Sequence, residues 1–493
     1  MATRITKSLF LTSLECRTRA WLDLRAAPAP ASEEELFRME QGREIGERAR
    51  GLFPEGRLVS NNDQDTAEGL TEKLLSDSST KTLFEAAFVD APFIARPDIL
   101  TRHGKAWHIL EVKSSFADSG SVDDYVDDLA YTAMVAARAG LKANQYSLVL
   151  LSRSYRFGDS PDLLFKTLDV TKQVRERAKE FDSLAGALAK DLLSTATPTA
   201  ALVSSCRQCP YFDSQCLGKG LEHTVLELPK LSASMLKRLS DEGIVDLARL
   251  PAGLELSERQ ERVRDAALSG NAVFGSGLRQ VLDGIPWPCH YLDFETVATV
   301  RPLYKGHACH QQVLTQFSIH HRDSIESECR HSEYLADPKK DCEKELAEEL
   351  IRALGKKGSV IVYSGFEKTR IQALQARFPT LSKQLQAILD RIVDLLPVIR
   401  DHVYHPDFRG SFSIKAVLPA LVPALSYKGL AIASGDTAIA RFARMARGEV
   451  TGAAAAATRG ALLKYCALDT MAMVRLHEVL WRRAAAKRRV AGR

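Results

Sequence analysis

In Pro288-Cys-His-Tyr-Leu-Asp293-Phe-Glu295-Thr two acids alternate along an apolar run, so a strand here carries both carboxylates on one face. Two like charges on a buried face are costly unless a cation neutralises them. A divalent metal is the partner such a pair suits. Two later segments extend the set. Gly358-Ser-Val-Ile-Val-Tyr363-Ser-Gly-Phe-Glu367 reads as a strand turning into a helix, with Glu367 just past the turn. Leu463-Lys-Tyr465-Cys-Ala-Leu-Asp469 reads as helix, and a spacing of four puts Tyr465 and Asp469 on one face. Asp394, in Arg391-Ile-Val-Asp-Leu-Leu, rivals Glu367 for the same place. Taken singly, each acid reads equally well as surface charge.

A second constellation lies nearer the N-terminus. Ala95-Arg-Pro-Asp98-Ile-Leu and Ala106-Trp-His-Ile-Leu-Glu111-Val-Lys113 flank the polar turn Thr101-Arg-His-Gly-Lys, so Asp98 and Glu111 can occupy adjacent strands of a hairpin. Strand alternation sends Glu111 and Lys113 to the same face. Two carboxylates and a lysine suit phosphodiester hydrolysis: the acids hold Mg2+ or Mn2+, and the lysine positions or deprotonates water. Glu85 is an additional ligand or a hydrogen-bond anchor. A solvated hairpin edge is the alternative. Four cysteines bracket this set, Cys16 alone and Cys206-x2-Cys209-x6-Cys216 downstream. On spacing alone an iron–sulfur cluster, a zinc site and four unrelated thiols all stay open.

The joint order Cys16, Asp98, Glu111-x-Lys113, Cys206-x2-Cys209-x6-Cys216 resembles the RecB-like PD-(D/E)xK nucleases with an iron–sulfur cluster, over about residues 1–225. The resemblance implies a restriction-endonuclease-like core, catalytic Asp98, Glu111 and Lys113 with a metal on the two acids, and a 4Fe–4S cluster on the four cysteines. Two departures stand out. Tyr125-Val-Asp-Asp-Leu-Ala-Tyr131 occupies the place of a Gln-x3-Tyr helix without its glutamine, and Glu47 stands where relatives often carry histidine.

The order Asp293-x-Glu295, Glu367, Tyr465-x3-Asp469 resembles the DEDD superfamily of 3′–5′ exonucleases, which implies a ribonuclease-H-like fold and a two-metal site. Glu367 replaces the usual aspartate, and Tyr465 would orient the attacking water. Taken whole, the chain resembles a bacterial family of unknown function (domain of unknown function 2779) that fuses these two nuclease types.

The elements that must position these groups follow from length and pattern. A chain of 493 residues exceeds one core, and an α/β multidomain fold is expected: a PD-(D/E)xK domain over 1–225, a helical linker over 226–275, and a DEDD-type domain over 276–493. Within the linker, Leu228–Pro251 reads as helix, glycine turn and helix, which resembles a helix-hairpin-helix module; a plain linker is the alternative. Gly435-Asp436 reads as a helix N-cap. Lys415, after Gly410-Ser-Phe-Ser413, either meets a phosphate or merely lies in a capped helix.

A net charge of +5 excludes a histone-like binder but allows basic grooves, one of them the tail Trp481-Arg-Arg-Ala-Ala-Ala-Lys-Arg-Arg. No apolar stretch reaches membrane-spanning length, so a cytoplasmic protein is expected, and nine cysteines in a reducing compartment favour ligation over disulfides. Cys289, Cys309, Cys329, Cys342 and Cys466 read as ordinary buried or half-buried thiols. The expected partner is nucleic acid, DNA ahead of RNA, with end processing in repair or defence. No P-loop pattern occurs, so unwinding would need a helicase partner. The competing classes are a ribonuclease and a non-catalytic nucleic-acid scaffold.

Overall fold

Apolar residues at alternate positions build the sheet that carries the N-terminal acids. In the computed structural model, which describes residues 4–27, 29–60 and 64–491 and gives residues 64 and 486–491 by backbone alone, the mixed α/β chain divides into two units. One is Met1–Lys219 with Thr299–His310, the other Gly220–Ala298 with Gln311–Arg493. The first unit contains β1 (Arg57–Leu58), β2 (Thr82–Phe84), β3 (Phe88–Asp90), β4 (Phe93–Ala95), β5 (Ile99–His103), β6 (Ala106–Phe116), β7 (Ala143–Leu151) and β8 (Phe165–Asp169). Six of them form one sheet in the order β1-β2-β5-β6-β7-β8, and β3 and β4 pair separately. Gly104 makes the tight β5–β6 turn at a φ of 63°, a region that glycine enters without cost. β6 and β7 are parallel, so a crossover is required, and helix Val122–Arg138 supplies it.

Register assigns the two faces. Leu100, Trp107, Ile109, Leu148 and Leu150 share a core with helices Val122–Arg138 and Thr171–Leu193. Ile99, Leu110 and Val149 pack instead with Ala49 of helix Glu33–Arg50. Glu111 and Lys113 continue the Trp107 and Ile109 row, so they emerge beside helix Val122–Arg138.

Tyr131 in that helix is fully buried, and its hydroxyl lies 2.7 Å from the Ile5 carbonyl and 3.1 Å from that of Ile94. It ties the chain's beginning to the β3–β4 hairpin. Tyr131→Phe deletes the donor and leaves buried acceptors short of a partner, so we expect a loss of about 1–2 kcal/mol in urea unfolding. A smaller change would mean that water replaces the hydroxyl.

The second unit contains β9 (Val273–Phe274), β10 (Cys289–Val297), β11 (Val313–Arg322), β12 (Arg330–Leu335), β13 (Ser359–Val362), β14 (Ile392–Asp394) and β15 (Val403–Tyr404). Its main sheet has the order β12-β11-β10-β13-β14. β11 runs antiparallel to its neighbours β10 and β12, whereas β13 and β14 run parallel to β10. Cys289, Tyr291 and Ile361 pack against Ala472, Met473, Leu476 and Leu480 of the helix Gly452–Ala491. Leu292, Phe294, Phe317 and Val360 pack on the opposite face with helices Glu343–Leu354, Phe366–Arg377 and Ser382–Leu389.

Two local readings are corrected. After helix Ala233–Asp241 and the turn at Gly243, the second helix of the expected hairpin is only the single 3-10 turn Leu247–Arg249. Asp246 is drawn into a bridge with Thr224, and its carboxylate accepts from Ala248 N at 2.9 Å, which leaves no room for a full helix. Helix Gly435–Ala446 is capped by Ser434, whose Oγ accepts from Thr437 N at 3.1 Å, and Asp436 stands in its first turn. In the basic tail, the side chains of Lys487, Arg488 and Arg489 lie outside the described residues. No helix among the described residues is long and apolar enough to cross a membrane.

Candidate functional site

Along one face of β10 the residues change from apolar to acidic: Cys289 and Tyr291 are completely buried, and Asp293 and Glu295 follow, partly accessible. The pairing with β11 slips by a residue just after Glu295, where Thr315 is the extra residue of a bulge in the partner strand. Glu367 enters from the first turn of helix Phe366–Arg377, following β13; it is buried, and its Oε2 has no hydrogen-bond partner among the described residues. Asp469 comes from helix Gly452–Ala491 and accepts a 2.5 Å hydrogen bond from the Tyr427 hydroxyl. Two strand positions and two helices thus deliver four carboxylates. Among the described residues, no lysine, arginine or histidine forms an ion pair with any of them.

Burial and mutual repulsion hold these acids toward their neutral forms. Burial followed by the charges of Asp469, Glu295 and Glu367 pushes Asp293 far above the usual carboxylate range. Burial and Asp469 push Glu295 up to about 8, and burial with Asp394 and Asp469 pushes Glu367 up to about 7. Asp469 rises to about 6, because burial outweighs the Tyr427 hydrogen bond and the nearby Lys415 charge. Asp394 accepts from Leu396 N at 2.9 Å as the cap of helix Leu395–His402, and Glu367 is the member of the set whose charge reaches Asp293 and Glu295.

Raised acid values give a definite sign. The folded state binds protons more tightly, so its stabilisation is complete below about pH 4 and is lost as the pH rises through 6 to 8. Metal-free protein should therefore melt lower at about pH 8.5 than at about pH 5, and saturating Mg2+ should narrow that gap. Differential scanning fluorimetry reads both effects, and a melting temperature indifferent to Mg2+ at the higher pH would contradict the cation argument.

The rim of this pocket holds Tyr465 and Lys415, which the sequence offers, and Tyr427, which it does not. Tyr465 is buried, and burial plus the surrounding carboxylates keep its phenol protonated. Tyr427 stands near it, with ring centroids 6.3 Å apart. Lys415, in helix Ile414–Leu421, donates to the Ala433 carbonyl at 2.9 Å and lies 5.6 Å from the Tyr465 ring centre. Cys466, expected to be an ordinary buried thiol, lies within the acidic pocket with Sγ 3.3 Å from Asp293 Oδ2. Cys329, by contrast, is exposed.

In the first unit, Ile99 pairs with Leu110, which places Asp98 beside Glu111. Asp98 accepts from Val112 N at 2.6 Å, and burial with the Glu111 charge pushes its pKa up to about 8. Burial would raise Glu111 as well, but Lys113 and Lys7 beside it reverse the sign and hold it low. Lys113 reaches Glu111 at 3.1 Å and also pairs with Asp128 of helix Val122–Arg138. Lys7 pairs with the same Glu111 oxygen, while Glu111 Oε2 is buried without a hydrogen-bond partner among the described residues. Glu85 is held by Arg50 at 3.0 Å and adopts a φ of 57°. Glu47 is exposed.

The four cysteines come together from the two ends of this unit. Cys16 closes helix Lys7–Glu15 and caps helix Arg17–Asp23, its Sγ accepting from Arg19 N at 3.4 Å. Cys206 sits in the 3-10 turn Ser204–Gln208, where Val203 N approaches its sulfur at 3.4 Å. Burial, and then the charges of Cys16, Cys209 and Cys216, push the Cys206 thiol up, so the sulfurs are electrostatic neighbours. Around them, Trp21 donates to the Ser194 carbonyl at 2.8 Å and Tyr211 to Asp23 at 2.8 Å. The loop and the N-terminal helices are tied independently of any ligand.

A family model described as Domain of unknown function (DUF2779) matches residues 290–413. That stretch includes Asp293, Glu295, Glu367 and Asp394 and ends before Tyr465 and Asp469. No curated protein matches the chain.

Proposed function

We propose that the chain is a metal-dependent nuclease whose principal site is formed by Asp293, Glu295, Glu367 and Asp469. The observation that carries this reading is four carboxylates from one strand and two helices gathered in one place, with no cationic side chain among the described residues paired to them. Such a group is destabilising by itself and suits Mg2+ or Mn2+. The sheet order, with three antiparallel strands followed by two parallel ones, supports a ribonuclease-H-like reading of the second unit.

When bound there, a pair of divalent ions supplies a hydroxide nucleophile at neutral pH and charge neutralisation for the leaving 3′ oxygen. The protein's own groups do the rest. Tyr465 keeps its proton and orients water. Tyr427 fixes Asp469 through its 2.5 Å hydrogen bond. Lys415, beside both tyrosine rings, offers positive charge to the substrate phosphate.

The cysteine set fits a 4Fe–4S cluster in its donor chemistry, with four thiols converging from distant segments, and we assign it a structural role. Asp98, Glu111 and Lys113 form the second, PD-(D/E)xK-like site. A specific observation also favours gripping without cutting in this unit: the Lys7 ammonium pairs with Glu111, where a cation would bind. DNA is the proposed substrate ahead of RNA, in cytoplasmic end processing with a separate helicase.

End-labelled single- and double-stranded DNA and RNA, incubated with Mg2+ or Mn2+, test the proposal directly. Stepwise shortening from the 3′ end is the expected result. Tight binding of every substrate with no cleavage would overturn it in favour of a scaffold. Within the same assay, Lys113→Ala should leave 3′–5′ shortening unchanged and remove any endonucleolytic cutting; loss of the 3′ ladder would show that the assignment of roles is reversed.

A further inference from the structure

The acidic pocket of the second unit contains a sulfur. Among the described residues, Asp293, Glu295 and Cys466 are the only three His, Cys, Asp or Glu side chains whose ligand atoms all lie within 4.8 Å of one another. Cys466 is completely buried, so its thiol has no role at the surface, and Sγ faces Asp293 Oδ2 at 3.3 Å. An independent sign of a missing cation is Glu367, 4% exposed, whose Oε2 lacks a hydrogen-bond partner among the described residues and whose charge reaches Asp293.

We propose that Cys466, Asp293 and Glu295 form a binding site for a thiophilic divalent cation such as Zn2+, which occupies the pocket in place of Mg2+ and shuts the nuclease off. This rests on the reading of the pocket as a cation site. Two carboxylates and one thiolate are a mixed donor set: oxygen alone suits Mg2+, whereas a sulfur donor favours Zn2+ or Cd2+. Donors this close can converge on one ion at Zn–S of about 2.3 Å and Zn–O of about 2.0–2.2 Å after a small side-chain rotation. On binding, the thiol releases its proton to solvent, and the former S–H electron pair becomes the sulfur–metal bond. Mg2+ coordinates oxygen and leaves the thiol protonated. The pocket thereby distinguishes two cation classes through one residue.

Cd2+ titrated into cluster-loaded protein without nucleic acid provides the test, because a thiolate–Cd2+ bond adds an ultraviolet charge-transfer band. Wild type should show one saturable band that is absent in Cys466→Ala. Asp293→Asn keeps the thiol but should weaken Cd2+ binding by more than about tenfold, the lower bound for losing even an indirect metal contact. That variant also removes one of the repelling charges, so it serves if Cys466→Ala fails to fold. A band of undiminished affinity in Asp293→Asn would place the sulfur in a different site and overturn the proposal. So would identical titrations of wild type and Cys466→Ala. The readout needs no catalysis: protein that cuts nothing yet shows the band refutes the nuclease reading alone, and an active nuclease without the band refutes the thiophilic site alone.

Discussion

Replacing Asp293 by asparagine should lower nuclease turnover by at least about a thousandfold while raising the melting temperature of the metal-free protein. The two changes have one cause. Asp293 lies among Asp469, Glu295 and Glu367, and each charge there is repelled by the others. Asparagine keeps the shape and an oxygen acceptor for Cys466 but has no acid to keep neutral, so it removes the cost of burying a carboxylate among the others and weakens a metal ligand together. An ordinary destabilising substitution would lower both quantities. Measured turnover should fall with little change in KM, since the lost contact acts on the reacting atoms rather than on the remote strand. Asp469→Asn should behave similarly, although the Tyr427 hydroxyl then donates to a neutral amide oxygen in place of a carboxylate, so its stability gain should be smaller. Undiminished shortening of labelled strands by folded Asp293→Asn protein would dismiss the metal assignment altogether.

Glu367 and Asp394 can be separated in the same experiment. Glu367 shares the pocket's electrostatics, whereas Asp394 is committed to capping Leu396 N. Glu367→Gln should therefore reduce turnover at retained stability. Asp394→Ala should chiefly remove a helix cap, at about 1 kcal/mol.

What could be read from the sequence follows the range of the interaction that decides it. Alternation along a strand is local, which is why Asp293 with Glu295, and Glu111 with Lys113, were assignable to common faces before any tertiary contact was known. The Asp98–Glu111 adjacency needed only a short turn at Gly104. Helix spacing likewise put Tyr465 and Asp469 together. Lys7 was invisible because its approach to Glu111 spans 104 positions and depends on how the first helix docks. Tyr427 reaches Asp469 across 42 positions from a segment with no regular pattern. Cys466 is buried as expected, but an apolar helix face does not say what the buried group meets, and here it meets Asp293. The second helix of the expected hairpin failed because propensity lost to a bridge between Thr224 and Asp246. Tyr131 occupies a motif position by order, yet its hydroxyl serves the backbone of Ile5.

If the four cysteines hold the proposed cluster, Cys16→Ser should cost the protein a brown colour and its stability together. The cluster reading makes Cys16 the single ligand from the start of the chain, and Cys206, Cys209 and Cys216 the three from the loop that closes the unit. Cross-linking distant segments restricts the unfolded chain, and removing a comparable staple from a small domain costs about 2–5 kcal/mol. In a unit of this size each kcal/mol moves the melting temperature by roughly 2–4 °C, so a drop of about 5–20 °C is expected. Residual attachment should persist, because Trp21 still donates to Ser194 and Tyr211 to Asp23, so the variant should remain folded at low temperature. The turnover proposed at Asp293 should survive there, since the four cysteines and the carboxylates belong to separate units. Anaerobically purified wild type must first show iron and acid-labile sulfide in equal amounts. Colourless protein with one zinc per chain would replace the cluster by a four-cysteine zinc site, and an unchanged melting temperature in Cys16→Ser would mean that the four thiols hold nothing in common.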